Sequence, residues 1–282
     1  MEIVHTISAL KVLLSPFKKA KSKVALVPTM GALHKGHQSL IEIAQQQAEI
    51  VVCSIFVNPT QFTDPKDLEK YPRPLEHDIK MLEDARCNIV FMPTVKEMYP
   101  LFPNIENWHI DLGSAEFLLE GEFRKGHYQG VTQIVKKLFD AVNPAVAFFG
   151  QKDFQQVLMI KNMVKFFNLN VEIISCPIIR EEDGLAMSSR NIHLSVTDKK
   201  NALVLSKALH YVKNHIGKIN LADVLANAKR MINTTYGVEL DYFTIVDGDT
   251  LMPITNRITE NSVVLVAAKV GKTRLIDNML LA

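Results

Sequence analysis

The stretch Val24-Ala-Leu-Val-Pro-Thr-Met-Gly-Ala-Leu-His-Lys-Gly-His37 decides how the chain is read. Its first four residues are apolar without alternation, as a strand covered on both faces requires. A turn carrying Gly31 follows, and helical spacing begins near Gln38. In α/β proteins a Gly-containing turn between strand and helix aims backbone N–H groups and the positive helix end at an anion. His34 and His37 are three apart, so within a helix they would share a face and could both donate to phosphate oxygens. Gly36 between them leaves room for a ligand at the backbone. Four such residues recur by chance and could be two surface histidines. Their place directly after a buried strand favours the phosphate reading.

Working outward, further apolar runs occupy residues 50–57, 88–92, 145–149 and 171–175. Amphipathic stretches at 38–48, 75–86, 131–142 and 154–167 separate them. In the third, Val131, Ile134, Val135, Leu138, Phe139 and Val142 form an apolar stripe at helical spacing. Strands alternating with helices predict an α/β fold with a doubly wound parallel sheet. In a 3-2-1-4-5 strand order, the histidine turn after the first run and Gly150-Gln-Lys-Asp153 after the fourth would flank one crevice. The composition changes after Pro177. A polar loop at 180–191 leads to helical patterns at 198–215 and 221–234, then strands at 240–246, 263–270 and 274–279. Residues 1–180 are therefore expected to form a nucleotide-binding domain, and 181–282 a smaller C-terminal α+β domain.

The segment after Gly150 continues the phosphate theme. Lys152 is a point charge suited to phosphate, and Asp153 can cap the next helix or accept from ribose hydroxyls. Gln156 lies one helical turn beyond Asp153. In the inter-domain loop, Met187-Ser-Ser-Arg190 offers two hydroxyls and a forked guanidinium that could wrap a triphosphate, with Asp183-Gly184 giving flexibility. After the second apolar run, Asn58 and Gln61 are neutral amides able to read an acidic substrate while the cations serve phosphates.

Formal net charge is +2 from 32 basic and 30 acidic residues, which gives no general drive toward nucleic acid or membrane. Lys18, Lys19, Lys21 and Lys23 lack interleaved aromatics and read as a solvated segment before the first strand. Cys53, Cys87 and Cys176 are odd in number and far apart, which argues against a disulfide framework or a thiolate metal site. No run approaches membrane-spanning length and no leader is recognisable, so a cytoplasmic location is expected.

The residues together resemble the pantothenate synthetase family of the nucleotidylyltransferase superfamily. The resemblance rests on the residue 28–37 string, Phe56-Val-Asn-Pro-Thr-Gln-Phe62, Tyr71-Pro-Arg73, Leu119-Glu-Gly121, Gly150-Gln-Lys-Asp153, Gln155-Gln156 and Asp183-Gly-Leu-Ala-Met-Ser-Ser-Arg-Asn191, over nearly the whole chain. It implies a Rossmann-like domain, and ATP-dependent condensation of pantoate with β-alanine through a pantoyl adenylate. It assigns ATP contacts to Met30, Gly31, Ala32, Leu33, His34, Lys35, Gly36 and His37, with His37 the designated proton donor. Gly150, Gln151, Lys152, Asp153, Ile179, Met187, Ser188, Ser189 and Arg190 complete the ATP set. Catalytic roles fall to His34, His37, Lys152 and Arg190. Gln61 and Gln156 would hold pantoate, with Gln61 also bordering β-alanine; Asn58 and Arg124 are further candidates. The family uses Mg²⁺ with ATP and forms homodimers. Arg124-Lys-Gly-His-Tyr128 stands where the family usually has Arg-Pro-Gly-His-Phe, and Gln151 departs from the common residue. A plain nucleotidylyltransferase would need extra cations for an acceptor phosphate, which the amides at 58, 61 and 156 do not supply.

Overall fold

The structure, a computed structural model, describes residues 1–104 and 107–281. It divides into two compact units: Met1–Gly150 with Gln156–Cys176, and Gln151–Gln155 with Pro177–Ala282.

The first unit runs β1 (Glu2–Val4), α1 (Ile7–Lys19), β2 (Val24–Thr29), α2 (Lys35–Gln45), β3 (Ile50–Ile55), α3 (Pro65–Lys70), α4 (Leu75–Asp84), β4 (Ile89–Phe91), α5 (Val95–Met98), α6 (Glu120–Phe123), α7 (His127–Val142), β5 (Val146–Gly150), α8 (Phe154–Phe166) and β6 (Glu172–Cys176). The first two residues of α8 group with the second unit. The six strands form one parallel sheet in the order β1-β4-β3-β2-β5-β6. Leaving out β1, this is the doubly wound 3-2-1-4-5 order, with β2 and β5 adjacent where the order reverses. The continuous apolar runs arise because both faces are covered. Ala25, Val27, Val51, Cys53, Val146 and Phe148 are fully buried in one cluster with residues of α2 and α4.

The N-terminus differs from the sequence expectation. A three-residue edge strand precedes β2 and pairs in parallel with β4. Lys18 and Lys19 of the solvated lysine segment form the basic last turn of α1, which favours the negative helix end. Pro16 inside this helix masks it in the sequence. The short β1 carries no recognisable apolar run because its burial is slight.

The second unit contains α9 (Val196–His215), α10 (Leu221–Asn233) and a three-stranded antiparallel sheet of β7 (Val238–Asp247), β8 (Ser262–Val270) and β9 (Thr273–Leu280), in that order. Leu205 and Leu209 of α9 and Val224 and Ile232 of α10 pack with Phe243, Ile245, Val264 and Val266 in a single core. Each such fully buried side chain contributes roughly 1.5–3 kcal/mol. The fold is α/β with a smaller α+β unit, as expected.

Candidate active site

The turn after β2 is built by hydrogen bonds that reach across the sheet. Thr29 Oγ1 donates to Ser54 O at 2.6 Å on β3 and accepts the Gly31 N–H at 3.2 Å. Gly31 has φ +79° and Ala32 φ +50°, so the chain reverses through two left-handed residues. The Asp78 carboxylate, on α4 and 1% exposed, accepts the N–H groups of Ala32 at 2.8 Å and Leu33 at 2.7 Å. A Cβ on Gly31 would lie 2.9 Å from Asp78 Oδ2, so both backbone conformation and space require glycine there. Behind Met30 and Gly31 lies a cavity of about 620 Å³, lined further by Ile55, Phe56, Leu68 and Leu75.

His34 is not in the first helical turn, as its spacing to His37 suggested. Its φ of −145° makes it the N-cap of α2, with Lys35 the first helical residue. The two rings still meet, their centroids 4.1 Å apart, because of the cap itself. His34 Nδ1 accepts from the Gly36 N–H at 3.1 Å, and His37 Nδ1 accepts from the His34 N–H at 3.3 Å. A backbone N–H can only donate, so in both neutral imidazoles the proton sits on Nε2. The cap thus sets the tautomer that makes Nε2 the donating atom at the positive end of α2.

Asn58 caps, and Gln61 ends, a 3-10 turn, Pro59–Gln61, shortly after β3. Asn58 is fully buried and its amide orientation is pinned by backbone groups. Nδ2 donates to Gly130 O at 3.0 Å, and Oδ1 accepts from the Thr60 N–H at 3.4 Å and from Tyr99 Oη at 2.8 Å. Nδ2 also donates to Gln61 Oε1 at 3.2 Å, which turns the Gln61 NH₂ the other way, toward Met30 Sδ at 2.7 Å. A thioether is a weak acceptor, so Gln61 presents a donor that a carboxylate or hydroxyl oxygen satisfies better. Gly130 permits the arrangement: a Cβ there would lie 2.3 Å from Thr60 O. His127 links Arg124 to this pair. The guanidinium of Arg124 donates to its Nε2 at 3.0 Å, so Nδ1 carries the proton and donates to Gln61 O at 2.7 Å. Arg124 therefore acts on the Gln61 backbone through an imidazole. Arg73 of the Tyr71-Pro-Arg73 string donates to the carbonyls of Leu68 and Tyr71 and closes the end of α3.

Gly150 ends β5, and a Cβ there would meet no atom within 4 Å. Gln156 lies in the first turn of α8, in the first unit. The remaining candidates belong to the second unit. Gln151, Lys152 and Asp153 form a 3-10 turn. Asn278 of β9, 2% exposed, donates through Nδ2 to the carbonyls of Gln151 and Lys152, both at 3.0 Å, and accepts from Gln151 Nε2 at 3.0 Å. The expected loop at 180–191 is a small hairpin. Arg180 and Ala186 form a bridge, Gly184 turns the chain at φ +96°, and the Met187 N–H donates to Ile179 O at 3.0 Å. Ile179 and Met187, assigned separately from the sequence, are thus backbone partners. Ser188 caps the following 3-10 turn, Ser189–His193, by accepting the Arg190 N–H at 3.3 Å. Arg180 grips Asp277 of β9 with two bonds, 2.6 and 3.0 Å, and donates to Gly184 O at 3.1 Å.

Sequence reading passed over Asp78, Tyr99, Gly130, Asp277 and Asn278. For Asp78 a signal existed: it shares the buried face of α4 with Leu82, and a carboxylate on an apolar stripe needs a partner. The others carried none, since their value lies in groups far away in sequence.

Comparison with known proteins agrees with this architecture. The family model described as pantoate-beta-alanine ligase matches residues 2–280. The pantothenate synthetase of Acetivibrio thermocellus is 46% identical over 286 residues, covering 99% of both chains. That of Bacteroides fragilis is 44% identical over 280 residues, 99% of this chain and 98% of the relative. Among solved structures, pantothenate synthetase from Thermus thermophilus superposes with a TM-score of 0.93 at 38% identity, covering 100% of this chain and 99% of that one. Pantoate-beta-alanine ligase from Francisella tularensis, solved as a complex with beta-gamma ATP and beta-alanine, gives 0.82 at 34% identity, covering 100% of this chain and 98% of that one. With a family match over residues 2–280 and relatives at 44% and 46% identity, the chain belongs to the pantoate-β-alanine ligase family.

Proposed function

We propose that the chain condenses pantoate with β-alanine at the expense of ATP, giving pantothenate, AMP and pyrophosphate. The observation that carries this reading within the first unit is the contact of Gln61 with Met30. It joins the amide pair after β3 to the histidine turn after β2, so an acidic group held by Gln61 would lie beside an anion held at the α2 N-terminus.

The chemistry proceeds in two displacements. A pantoate carboxylate oxygen attacks the α-phosphorus, the bond to the bridging oxygen breaks, and pyrophosphate leaves with the bonding pair. The β-alanine amine then attacks the acyl carbonyl, AMP departs, and the amine loses a proton. The first barrier is electrostatic, since an anion must meet a polyanion. His34 and His37 offer Nε2–H donors, and Lys152 and Arg190 offer fixed charge for the departing pyrophosphate. Gln61 and Gln156 hold pantoate by neutral amides, and Gln61 borders β-alanine; Asn58 and Arg124 orient Gln61. The residues from Met30 to His37, Gly150 to Asp153, Ile179, and Met187 to Arg190 form the ATP site. The C-terminal domain, 181–282, acts as a lid whose phosphate loop excludes water from the mixed anhydride.

Mg²⁺ enters with ATP. Among the described residues no three His, Cys, Asp or Glu side chains cluster as a metal site. A magnesium ion bound with ATP would offset phosphate charge as the first displacement proceeds. Homodimer formation is supported by the apolar Leu101, Phe102, Phe117 and Phe123, exposed on the first unit and available for an interface to cover. A cytoplasmic location is supported by three unpaired thiols. Among the described residues no helix is long and apolar enough to cross a membrane.

Isotope exchange tests the reading. Pantoate alone should drive labelled pyrophosphate into ATP, without β-alanine. Exchange that requires β-alanine would mean a concerted reaction and no free adenylate.

A further inference from the structure

Two neighbouring residues of β9, Asp277 and Asn278, are almost wholly buried at 4% and 2% exposure, yet both are polar. Burial of such groups is costly unless every bond is made. Here each side chain spends its bonds on a different segment of the second unit. Asn278 uses both Nδ2 hydrogens on the carbonyls of Gln151 and Lys152, and its Oδ1 on Gln151 Nε2. These carbonyls can only accept, so the amide orientation is fixed. Asp277 takes the two-pronged bond from Arg180, whose Nη1 also holds Gly184 O at the tip of the hairpin. That hairpin is closed by the Met187 N–H to Ile179 O bond and continues into Ser188, Ser189 and Arg190. Asp277 Oδ1 accepts the Asn278 N–H at 2.8 Å, tying the two grips together.

We infer that Asp277 and Asn278 are a positioning pair that sets the Gln151–Asp153 turn and the 179–190 hairpin on one strand as a single body. Both side chains are buried and bonded to protein groups, so each acts through the group it holds. Asn278 acts through Lys152 and Asp153 by fixing the carbonyls that precede and belong to Lys152. Asp277 acts through Arg180 on the hairpin that bears Arg190. A strand interior is the rigid element from which to hold two irregular segments, because its own backbone is locked by β8 along its length. This inference rests on the reading of Lys152 and Arg190 as ATP-contacting residues.

The test is a double-mutant cycle on the full chain. Pantoate-dependent pyrophosphate exchange and ATP binding are measured for Asn278→Ala, Lys152→Ala and the pair. Asn278→Ala should lower exchange by roughly ten- to a hundredfold, as a displaced catalytic group does, with the pantoate KM unchanged. Adding Lys152→Ala to it should then cost little more, because the two act through one group. Full additivity, or a wild-type rate in Asn278→Ala, overturns the pair's role. A wild-type rate in Lys152→Ala instead overturns the ATP reading on which it rests. Should Asn278→Ala not fold, Gln151→Ala removes one arm of the grip from the partly exposed side. A loss of threefold or more that is non-additive with Lys152→Ala supports the inference, and an unchanged rate overturns it. The parallel cycle of Asp277→Asn with Arg190→Ala should show the same non-additivity.

Discussion

Asp78 accepts the backbone N–H of Leu33 at 2.7 Å from 45 residues away, with its other oxygen on Ala32. A helix on one side of the sheet thereby supplies the acceptors that a left-handed turn on β2 cannot find within itself. Asp78→Ala leaves two buried donors without a partner, a loss of about 2–4 kcal/mol. Asp78→Asn keeps one acceptor oxygen and should cost less. Urea unfolding measures both, and an unchanged midpoint for the alanine variant would refute the role. Calorimetry of the folded fraction should show weaker ATP binding as the turn loosens.

Gly130 and Gly150 are glycines for opposite reasons. Gly130→Ala drives a Cβ to 2.3 Å from a backbone carbonyl that cannot swing aside, so the variant should be severely destabilised. Gly150→Ala meets nothing within 4 Å and has no left-handed φ to strain, so it should unfold at the wild-type denaturant concentration. If the space beside Gly150 belongs to ATP, nucleotide affinity should nevertheless fall about tenfold or more. Normal affinity in a normally stable Gly150→Ala would remove it from the site.

Arg190 should matter more to the transition state than to the bound ground state, because charge builds on pyrophosphate as it leaves. Arg190→Ala is expected to slow adenylate formation by about a hundredfold or more while weakening ATP binding much less. Single-turnover rates with excess pantoate, set beside equilibrium ATP binding, separate these. Equal losses would mean uniform binding only.

Alkaline pH should destabilise the first unit in a defined window. Burial pushes the thiols of Cys87 and Cys176 from 9.0 up to about 11, and that of Cys53 upward as well. Burial also pushes Tyr99 from 10.0 up to about 12. The folded state then holds protons that the unfolded chain has released. Stability is full below about pH 9, falls as pH rises toward the folded values, and levels off beyond them. Urea midpoints at about pH 8 and about pH 10.5 should show the fall, and Tyr99→Phe should reduce its upper portion. Thiol reagents at about pH 8 should label the three cysteines only after unfolding; rapid labelling of the native protein would contradict their burial.

The sheet was legible because its inner strands β2, β3, β4 and β5 are buried on both faces, and only uninterrupted apolar runs such as Val24–Val27 survive there. Strand order followed from the general rule for wound sheets, which makes β2 and β5 neighbours where the order reverses. The residue types able to bind phosphate or an acid were equally visible at His34, His37, Gln61, Lys152 and Arg190. Local signals failed where local structure is overruled, as with the short β1 and the proline-bearing α1. Only the tertiary structure decided which way those residues face. His34 is a cap and not a helical residue, so backbone donors choose the imidazole tautomer. Gln61 offers its NH₂ because Asn58 is pinned by Gly130 O and Thr60 N–H. Lys152 and the hairpin before Arg190 are held by two polar residues on the last strand. A sequence states which groups exist, but the direction of a hydrogen bond depends on its partner, and every one of these partners lies elsewhere in the chain or on the backbone.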